Sequence, residues 1–393
     1  MAHDIAELRR IIDEIYPRIV ALRRDFHRHP ETAYREKRTA GVVSRELRRL
    51  GIPHRTKVGG TGVVGLIRGA KPGPCVAFRA DMDALPIQEE NAHLPYRSAN
   101  AGAMHACGHD GHTANLLGVA EVLSRLRGRL AGSVKLIFQP AEEGGGGAAA
   151  MIRDGAMRNP KPDVIYAFHT GSTLAEGKVA WRSGPMCAST TSIDLVFRGR
   201  GGHAAGPHET VDPVVMSAQF LSAVQTVVSR RVDPLDQAVV TFGTWNAGTA
   251  ANIIPDEAAL RGTLRTYREP VRRLLMREVR RIARDVARAA GGRAGLVVAA
   301  GYPAVINDRR ATEFLRDVAL EAVGPSEVIP AEPTMGGEDF SHLLAEAPGA
   351  FFRVGNGTPD VAAHSPRFDF NDRALKPAML VMSLVALRRL SPS

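Results

Sequence analysis

The sequence predicts a two-domain α/β protein in which a small βαββαβ domain is inserted into a larger α/β domain. The chain has 393 residues, more than one average domain holds. Strand and helix patterns alternate in residues 1–186 and resume in residues 301–393, whereas residues 187–300 follow the βαββαβ order of a ferredoxin-like unit. We therefore expect the two outer segments to form one domain and residues 187–300 to form the insertion.

The elements of the larger domain follow from the spacing of apolar residues. Apolar side chains three and four residues apart predict helices, and short apolar runs predict strands. Pro30 ends the first helix and Gly51 ends the second. In chain order the expected elements are helices over 4–28 and 36–50, strands over 52–58, 62–68 and 74–80, a helix over 113–126, strands over 134–139 and 163–168, and, after the insertion, a strand over 349–354 and a helix over 371–390.

The inserted domain has its own series of elements. Alternating and helical patterns predict a strand over 190–197, a helix over 211–229, strands over 237–245 and 257–267, a helix over 269–290 and a strand over 294–300. This series is sufficient for a complete small domain.

Composition and charge argue against several classes of protein. Hydrophobic residues make up 44% of the chain, as in ordinary globular proteins, and no apolar run is long enough to span a membrane. The first residues are charged where a signal peptide is apolar, and three scattered cysteines do not form a disulfide framework. The net charge of +10 favours anionic small substrates, but aromatic residues are only 5% and are not interleaved with a basic cluster. We expect a cytoplasmic protein without nucleic-acid or membrane partners.

The segment Met104–His112 is the strongest functional signal in the sequence. It places Cys107 and His109 two residues apart, with His105 and His112 on either side. Thiolates and imidazoles are preferred ligands of zinc and similar ions, and two glycines let the backbone bend closely around an ion. The segment therefore predicts a metal site. Two alternatives remain open at this point: a buried thiol beside surface histidines, and a cysteine nucleophile paired with a histidine.

Three strand ends present further polar side chains. In open α/β sheets, functional groups collect beyond the carboxyl ends of the strands. Asp83 follows one strand, and we assign it as a supporting partner of a metal ligand. Glu142 and Glu143 follow another, where one carboxylate can bind metal and the other can accept a proton from water. His169 follows a third strand, so we expect these groups to share one crevice with the cysteine segment.

The chain resembles, over nearly its whole length, the two-domain di-metal amidohydrolases and metallopeptidases. This family includes hippurate hydrolase, the N-acyl-L-amino-acid amidohydrolases (aminoacylases) and related carboxypeptidases. The motifs that carry the resemblance occur in the expected order: Arg79–Pro86, Met104–His112, Gln139–Gly147, Gly202–Ala205, Asn252–Asp256 and Met335–Phe340. The resemblance implies an α/β/α catalytic domain on a mixed sheet, with the ferredoxin-like insertion as a lid and dimerisation domain.

The same resemblance implies which residues hold two divalent ions in each chain. The implied ligands are Cys107, His109, Glu143, His169 and His364. One thiolate, three imidazoles and one carboxylate suit Zn²⁺ or Mn²⁺, with Co²⁺ and Ni²⁺ as further candidates. Asp81 stands where many relatives outside this branch have a histidine ligand, and this branch takes its histidine from the cysteine segment.

Other residues that the resemblance identifies would act on the substrate. Glu142 matches the general base, His203 matches a histidine that polarises the scissile carbonyl, and Asn252 and Arg265 match residues that bind the substrate carboxylate. The expected reaction is metal-dependent hydrolysis of the amide bond of an N-acyl-L-amino acid, such as hippurate or an N-acetyl amino acid. A homodimer or homotetramer would form through the lid.

Three other functions are weighed against this one. A metallocarboxypeptidase or dipeptidase acting on short peptides is the nearest alternative. A hydrolase that uses Cys107 as a nucleophile with His109 or His112 belongs to a different class and would not depend on metal. A metal-binding or scaffold protein without activity is disfavoured, because both the implied base Glu142 and the implied polarising group His203 are present.

Overall fold

A computed structural model describes residues 2–391 of the chain and divides them into two compact units. Unit 1 comprises the residues up to Met186, Ile306–Glu332 and the chain from Asp339 onward. Unit 2 comprises Cys187–Val305 and Pro333–Glu338.

The secondary-structure elements are numbered here in chain order. The helices of the described residues are α1 (Ala2–Arg28), α2 (Lys37–Arg49), α3 (His109–Arg125), α4 (Gly147–Arg153), α5 (Pro213–Arg231), α6 (Glu269–Ala289), α7 (Arg309–Val323), α8 (Phe340–Glu346) and α9 (Leu375–Arg389). The strands are β1 (His54–Val58), β2 (Gly62–Arg68), β3 (Lys71–Asp81), β4 (Ala131–Gln139), β5 (Val164–Gly171), β6 (Val179–Trp181), β7 (Gly184–Cys187), β8 (Ser189–Arg198), β9 (Gly202–His203), β10 (Ala238–Ala247), β11 (Ile253–Ile254), β12 (Glu257–Thr266), β13 (Arg293–Ala300), β14 (Val305–Asn307), β15 (Val328–Pro330) and β16 (Gly349–Gly355). Within residues 2–391, no helix combines the length and the apolar character needed to cross a bilayer.

A mixed eight-stranded sheet forms the centre of unit 1. Its strand order is β1-β2-β4-β3-β5-β16-β6-β15. The pairs β3/β4, β3/β5, β5/β16 and β6/β15 are parallel, whereas β1/β2, β2/β4 and β6/β16 are antiparallel. The prediction of an α/β fold on a mixed sheet is confirmed.

The central strands of this sheet are buried, and their carboxyl ends meet at one edge. Residues 75–81 at the end of β3 are all buried, as expected for a parallel strand covered on both faces. Leu116 of α3 and Val381 of α9 pack with Phe78 and Phe138 of the sheet in one core. Because β3 is parallel to both β4 and β5, the residues that follow these three strands emerge at the same edge.

The helix after the cysteine segment begins earlier than the sequence predicts. The expected start at Thr113 is wrong, because α3 begins at His109. Gly108 takes a left-handed conformation with φ of 86° immediately before the first turn. The first turn is therefore made of polar residues, including His109 and His112, and their polarity hides the apolar periodicity on which the prediction relied.

Unit 2 contains a four-stranded antiparallel sheet in the order β10-β12-β8-β13. Its elements occur in the chain as β8, α5, β10, β12, α6 and β13. Phe220 of α5 and Leu275 of α6 pack with Phe197 of β8 in the core of this unit. A short pairing of β9 with β11 sets His203 opposite Ile253.

Candidate metal centre and active site

The cysteine segment approaches its neighbours closely at two glycines. A Cβ atom on Gly108 would lie 2.6 Å from Cγ2 of Thr170, and one on Gly111 would lie 2.3 Å from the ring of Phe370. Neither position accepts a larger residue without movement of the segment. The glycines are therefore needed for the close packing that places Cys107 and His109 at the end of β5.

The five residues implied as metal ligands lie together at the carboxyl-end edge of the unit 1 sheet. They are Cys107, His109, Glu143, His169 and His364. The ligand atoms of Cys107, His109 and His169 all lie within 4.8 Å of one another, and so do those of Cys107, Glu143 and His364. Cys107 belongs to both groups, and its Sγ is 3.4 Å from Nε2 of His169.

The hydrogen bonds of two histidines leave one nitrogen of each directed at this cluster. Nδ1 of His109 lies 2.8 Å from the carbonyl oxygen of Asp83, and Nδ1 of His169 lies 2.7 Å from that of Thr170. A carbonyl oxygen only accepts hydrogen bonds, so Nδ1 carries the proton in both rings. The lone pair of Nε2 is therefore available to bind a metal ion. Nε2 of His109 is buried and has no hydrogen-bond partner, a costly arrangement unless a cation is bound there. These residues therefore fit a metal ion.

His364 reaches the cluster through a left-handed backbone. Its φ is 68°, and its N–H donates to the carbonyl of Ala106 at 2.7 Å. Nε2 of His364 lies 3.1 Å from Oε1 of Glu143. A non-glycine residue in this region costs of order 1–3 kcal/mol, and such strain is concentrated at functional sites.

Asp83 supports the site through backbone hydrogen bonds as well as through His109. Its two carboxylate oxygens accept the N–H groups of Glu142 and Glu143, each at 3.0 Å. Its carbonyl oxygen accepts the Nδ1 proton of His109. One residue thus fixes a candidate ligand and the backbone of both glutamates, which is a wider supporting role than the sequence predicts.

Ala141, immediately before the two glutamates, is also held in place. Its φ is 52°, and its N–H donates to Oε1 of Glu36 at 2.9 Å. Glu36 is fully buried. This role of Glu36 is not evident from the sequence, because a glutamate at the start of a helix carries no local signal for a contact with residue 141.

His112 contacts the site but has no free nitrogen. Its Nδ1 donates to Oδ1 of Asp81 at 2.6 Å, and its Nε2 accepts the N–H of Thr170 at 2.9 Å. Both ring nitrogens are used, so His112 is a neutral supporting residue. Asp81 also binds Arg79 at 2.6 Å.

A buried network that local sequence patterns do not predict continues from Arg79. Arg79 donates to Oδ1 of Asp339 at 3.1 Å, and the N–H of Asp339 lies 3.3 Å from Oε1 of Glu142. Oδ2 of Asp339 accepts the N–H of Ala148 at 2.9 Å. Arg79 and Asp339 occur within the motifs that carry the resemblance, and this was the only available signal for their role.

The two histidines at the end of α1 lie outside the cluster. His27 is buried, with Nδ1 2.8 Å from Oδ2 of Asp110 and Nε2 3.2 Å from Oε1 of Glu89. Nδ1 of His29 lies 2.9 Å from the carbonyl oxygen of Asp25. Through these contacts both histidines orient the turn at the end of α1.

Burial and charge shift the pKa values of the candidate ligands strongly. Burial, followed by the negative charge of Glu143, raises the pKa of the Cys107 thiol to about 12. Burial lowers the pKa of His169 well below its ordinary value. Burial alone would lower the pKa of His109 as well, but the charge of Asp81 and the contact with Asp83 raise it well above the ordinary value. The surroundings of His109 thus favour positive charge, which a cation at Nε2 would supply in place of a proton.

The remaining predicted residues lie in unit 2. His203 is exposed, and its Nδ1 accepts the N–H of Ala205 at 3.1 Å, so the proton of the neutral ring is on Nε2. The carbonyl of Asn252 accepts the N–H of Ala204 at 3.1 Å, which places Asn252 beside His203. Arg265 is half-buried on β12, and its Nε donates to Oγ1 of Thr263 at 3.1 Å. Burial lowers the pKa of Arg265, and no carboxylate of the described residues pairs with it.

Relatives of known name share both the sequence and the fold of this chain. A thermostable carboxypeptidase of Saccharolobus solfataricus is 38% identical over 392 residues, which cover 98% of each chain. An N-acetyl-L-cysteine deacetylase of Bacillus subtilis is 37% identical over 357 residues, covering 91% of this chain and 84% of the relative. A crystal structure described as a dinuclear metal-binding peptidase of the M20 family, also from Bacillus subtilis, matches with a TM-score of 0.83 and 33% identity, covering 96% of this chain and 99% of that one.

The family itself is identified by a model that spans most of the chain. The model of peptidase family M20/M25/M40 matches residues 77–388. The matched range contains every residue assigned above to the metal cluster and to the substrate. This chain therefore belongs to peptidase family M20/M25/M40, as its motifs predict, and is a hydrolase of that family.

Proposed function

We propose that this chain hydrolyses the amide bond of N-acyl-L-amino acids and releases a carboxylic acid and a free amino acid. The proposal rests first on the buried Nε2 of His109, which has no hydrogen-bond partner and lies in a cluster of ligand atoms. We assign two divalent ions to the five residues of this cluster, Cys107, His109, Glu143, His169 and His364. The thiolate and imidazoles favour Zn²⁺, with Mn²⁺ as the other principal candidate.

The ions, when bound, supply Lewis acidity that lowers the pKa of water and polarises a carbonyl oxygen. Within the protein, Glu142 is the proposed general base: it takes a proton from the attacking water and returns it to the leaving nitrogen. Its backbone is fixed by Asp83, and its Oε1 lies near the N–H of Asp339. A fixed base within a buried segment transfers its proton without first reorganising the site.

In unit 2 we assign three residues to the substrate. The Nε2–H of His203 is a suitable donor to the oxyanion that forms from the scissile carbonyl. Asn252 and Arg265 would bind the free carboxylate of the amino acid. The guanidinium of Arg265, without a carboxylate partner among the described residues, suits a bidentate contact with such a group.

Hydrolysis of short peptides from the carboxyl end is the second candidate. The carboxypeptidase relative supports it, because the match covers 98% of each chain. Both reactions cleave an amide bond beside a free carboxylate. They would therefore use the same metal ligands, general base and carboxylate-binding residues, and they differ in the group on the other side of the bond.

A cysteine nucleophile at position 107 is the less favoured mechanism. Burial holds the pKa of Cys107 at about 12, so without a cation the thiol is protonated near neutral pH. Only the thiolate is a competent nucleophile. The same burial is compatible with metal binding, because a bound ion displaces the thiol proton.

We further propose a cytoplasmic homodimer or homotetramer formed through unit 2.

Metal removal tests the proposal. Purified protein should contain up to two divalent ions per chain, and dialysis against a chelator should abolish hydrolysis of hippurate and of N-acetyl amino acids. Restoring Zn²⁺ or Mn²⁺ should recover the activity. Comparing kcat/KM of the metal-loaded protein on dipeptides with kcat/KM on N-acyl amino acids would show which of the two candidate reactions it favours. Full activity in a preparation verified as metal-free would contradict the assignment and favour the cysteine mechanism.

A further inference from the structure

A basic cavity lies in unit 1, outside the metal cluster. It has a volume of about 630 Å³ and is formed by α2, β1 and the turn that leads into β2. We call it the α2–β1 groove. Its lining includes Lys37, Arg45, Arg48, Thr56 and Lys57. None of the proposed metal ligands lines it.

The positive charges of the groove are not neutralised by the protein. Four of its lining side chains are cationic, and its lining includes no carboxylate. Lys37, Arg45, Arg48 and Lys57 are all exposed, and none has an ion pair within residues 2–391. Four like charges around one cavity repel one another, and an anion placed among them would relieve that repulsion.

Other arginines of the same helix are neutralised by carboxylates. Arg38 binds Asp25 at 2.8 Å, and Arg49 binds Glu46 at 3.0 Å and Glu121 at 2.6 Å. The lack of partners is therefore confined to the side of α2 that lines the groove.

The local backbone brings side chains of both elements to the groove. Lys37, Arg45 and Arg48 recur at spacings of eight and three residues, which place them on one side of α2. In a regular strand, Thr56 and Lys57 would point to opposite faces. The pairing of β1 with β2 shifts register between Arg55 and Val58, and Lys57 has a φ of 59°, so both residues line the same cavity.

We propose that the α2–β1 groove binds a small organic anion that carries at least two phosphate or carboxylate groups. Arginine and lysine side chains would pair with those groups, and the exposed hydroxyl of Thr56 would add a neutral donor. The volume accommodates a molecule of metabolite size. This inference concerns binding at a second site and does not depend on the hydrolytic reaction.

Calorimetric titration of the intact protein tests the inference. The probes are fructose 1,6-bisphosphate, with two phosphates, and propane-1,2,3-tricarboxylate, with three carboxylates, each at low and at high salt. We expect the wild type to bind at least one probe, more weakly at high salt. The double variant Arg45→Gln/Arg48→Gln should bind it roughly tenfold more weakly or worse, since each charge-assisted contact contributes substantially.

A matched double variant separates the groove from the overall positive charge. Arg280→Gln/Arg310→Gln removes the same two charges at exposed positions that have no ion pair within the described residues, and its affinity should stay within about twofold of wild type. Three results would overturn the proposal: no binding of either probe at millimolar concentration, equal weakening in both double variants, or binding of a single-stranded oligonucleotide alone.

Discussion

At the scale of single residues, the roles of neighbouring histidines depend on which ring nitrogens are occupied. His109 and His112 are three residues apart, yet only His109 has a buried nitrogen without a partner. His112 uses both nitrogens, between Asp81 and the backbone of Thr170. His105 is buried without a hydrogen bond at either nitrogen, and burial lowers its pKa to about 4, so it is neutral near pH 7.

Replacing Glu142 by Gln tests whether Glu142 is the general base and Glu143 the metal ligand. The amide keeps the shape of the side chain but cannot accept the proton, so turnover should fall by ~10²–10⁴-fold. The metal content should not change, because we assign ligation to Glu143. The measurement combines steady-state kinetics with metal analysis, and Glu143→Gln serves as the comparison that should lose metal. If Glu142→Gln lost metal and retained its rate per bound ion, the two roles would be reversed.

At the scale of elements, the contact between α1 and α3 joins the end of one helix to the first turn of the other. His27 near the end of α1 contacts Asp110 in the first turn of α3, and Arg23 of α1 lies 3.7 Å from the same carboxylate. A carboxylate in the first turn also interacts favourably with the dipole of α3. The contact thereby fixes the turn that carries His109.

This contact should make the stability of the protein depend on pH. Burial would lower the pKa of His27, but its hydrogen bonds with Asp110 and Glu89 raise it from the ordinary value of 6.5 to about 9. A raised histidine pKa gives stability that is fully present below pH 6.5 and is lost as the pH rises through 9. The loss in the free energy of unfolding would amount to at most about 3–4 kcal/mol, from about 1.4 kcal/mol per pKa unit between 6.5 and 9.

The variant His27→Gln isolates this effect. The glutamine side chain can keep a hydrogen bond with Asp110 but does not titrate. The unfolding temperature of the wild type should therefore fall relative to that of the variant as the pH rises from 6 to 9.5, so that the difference between the two proteins becomes smaller. Thermal unfolding at a series of pH values measures this difference, in which groups common to both proteins cancel. An unchanged difference across that range would show that His27 does not titrate in this window.

At the scale of the whole molecule, the proposed metal ligands belong to unit 1, whereas the residues assigned to the substrate carboxylate belong to unit 2. Metal binding and substrate preference should therefore respond to different substitutions. The net charge of +10 adds a general attraction for anionic substrates, and we propose that Arg265 supplies the specific contact.

The variant Arg265→Ala should discriminate between acids and amides. Loss of a charge-assisted pair costs ~1.5–3 kcal/mol, so kcat/KM on an N-acyl amino acid should fall roughly ten- to a hundred-fold. The rate on the corresponding N-acyl amino acid amide should change little. Arg261→Ala, an exposed position on the same strand whose arginine pairs with Asp194, is the control. Equal losses on acid and amide would mean that Arg265 supports the fold of unit 2.

Much of the fold and of the candidate site could be predicted from the sequence, because those features depend on local patterns. Apolar periodicity identified most helices and strands, and the order of elements identified an α/β fold. The mixed character of the sheet was implied by the family resemblance. The motifs around Cys107, Glu142 and His169 identified the donor types of the site. The start of α3 could not be predicted, because the polar residues of its first turn interrupt the apolar pattern.

By itself, the sequence determined which donor atoms are available to a metal, both in the cysteine segment and at the ends of strands. Only the tertiary structure decided which atoms are free to act. The hydrogen bonds of Asp83 and Thr170 leave the Nε2 atoms of His109 and His169 directed at the cluster. Likewise, the pairing of some arginines of α2 and the exposure of others follows from carboxylates distant in the chain, such as Glu121. Hydrogen bonds and ion pairs join residues that are far apart in sequence, so local patterns do not specify them.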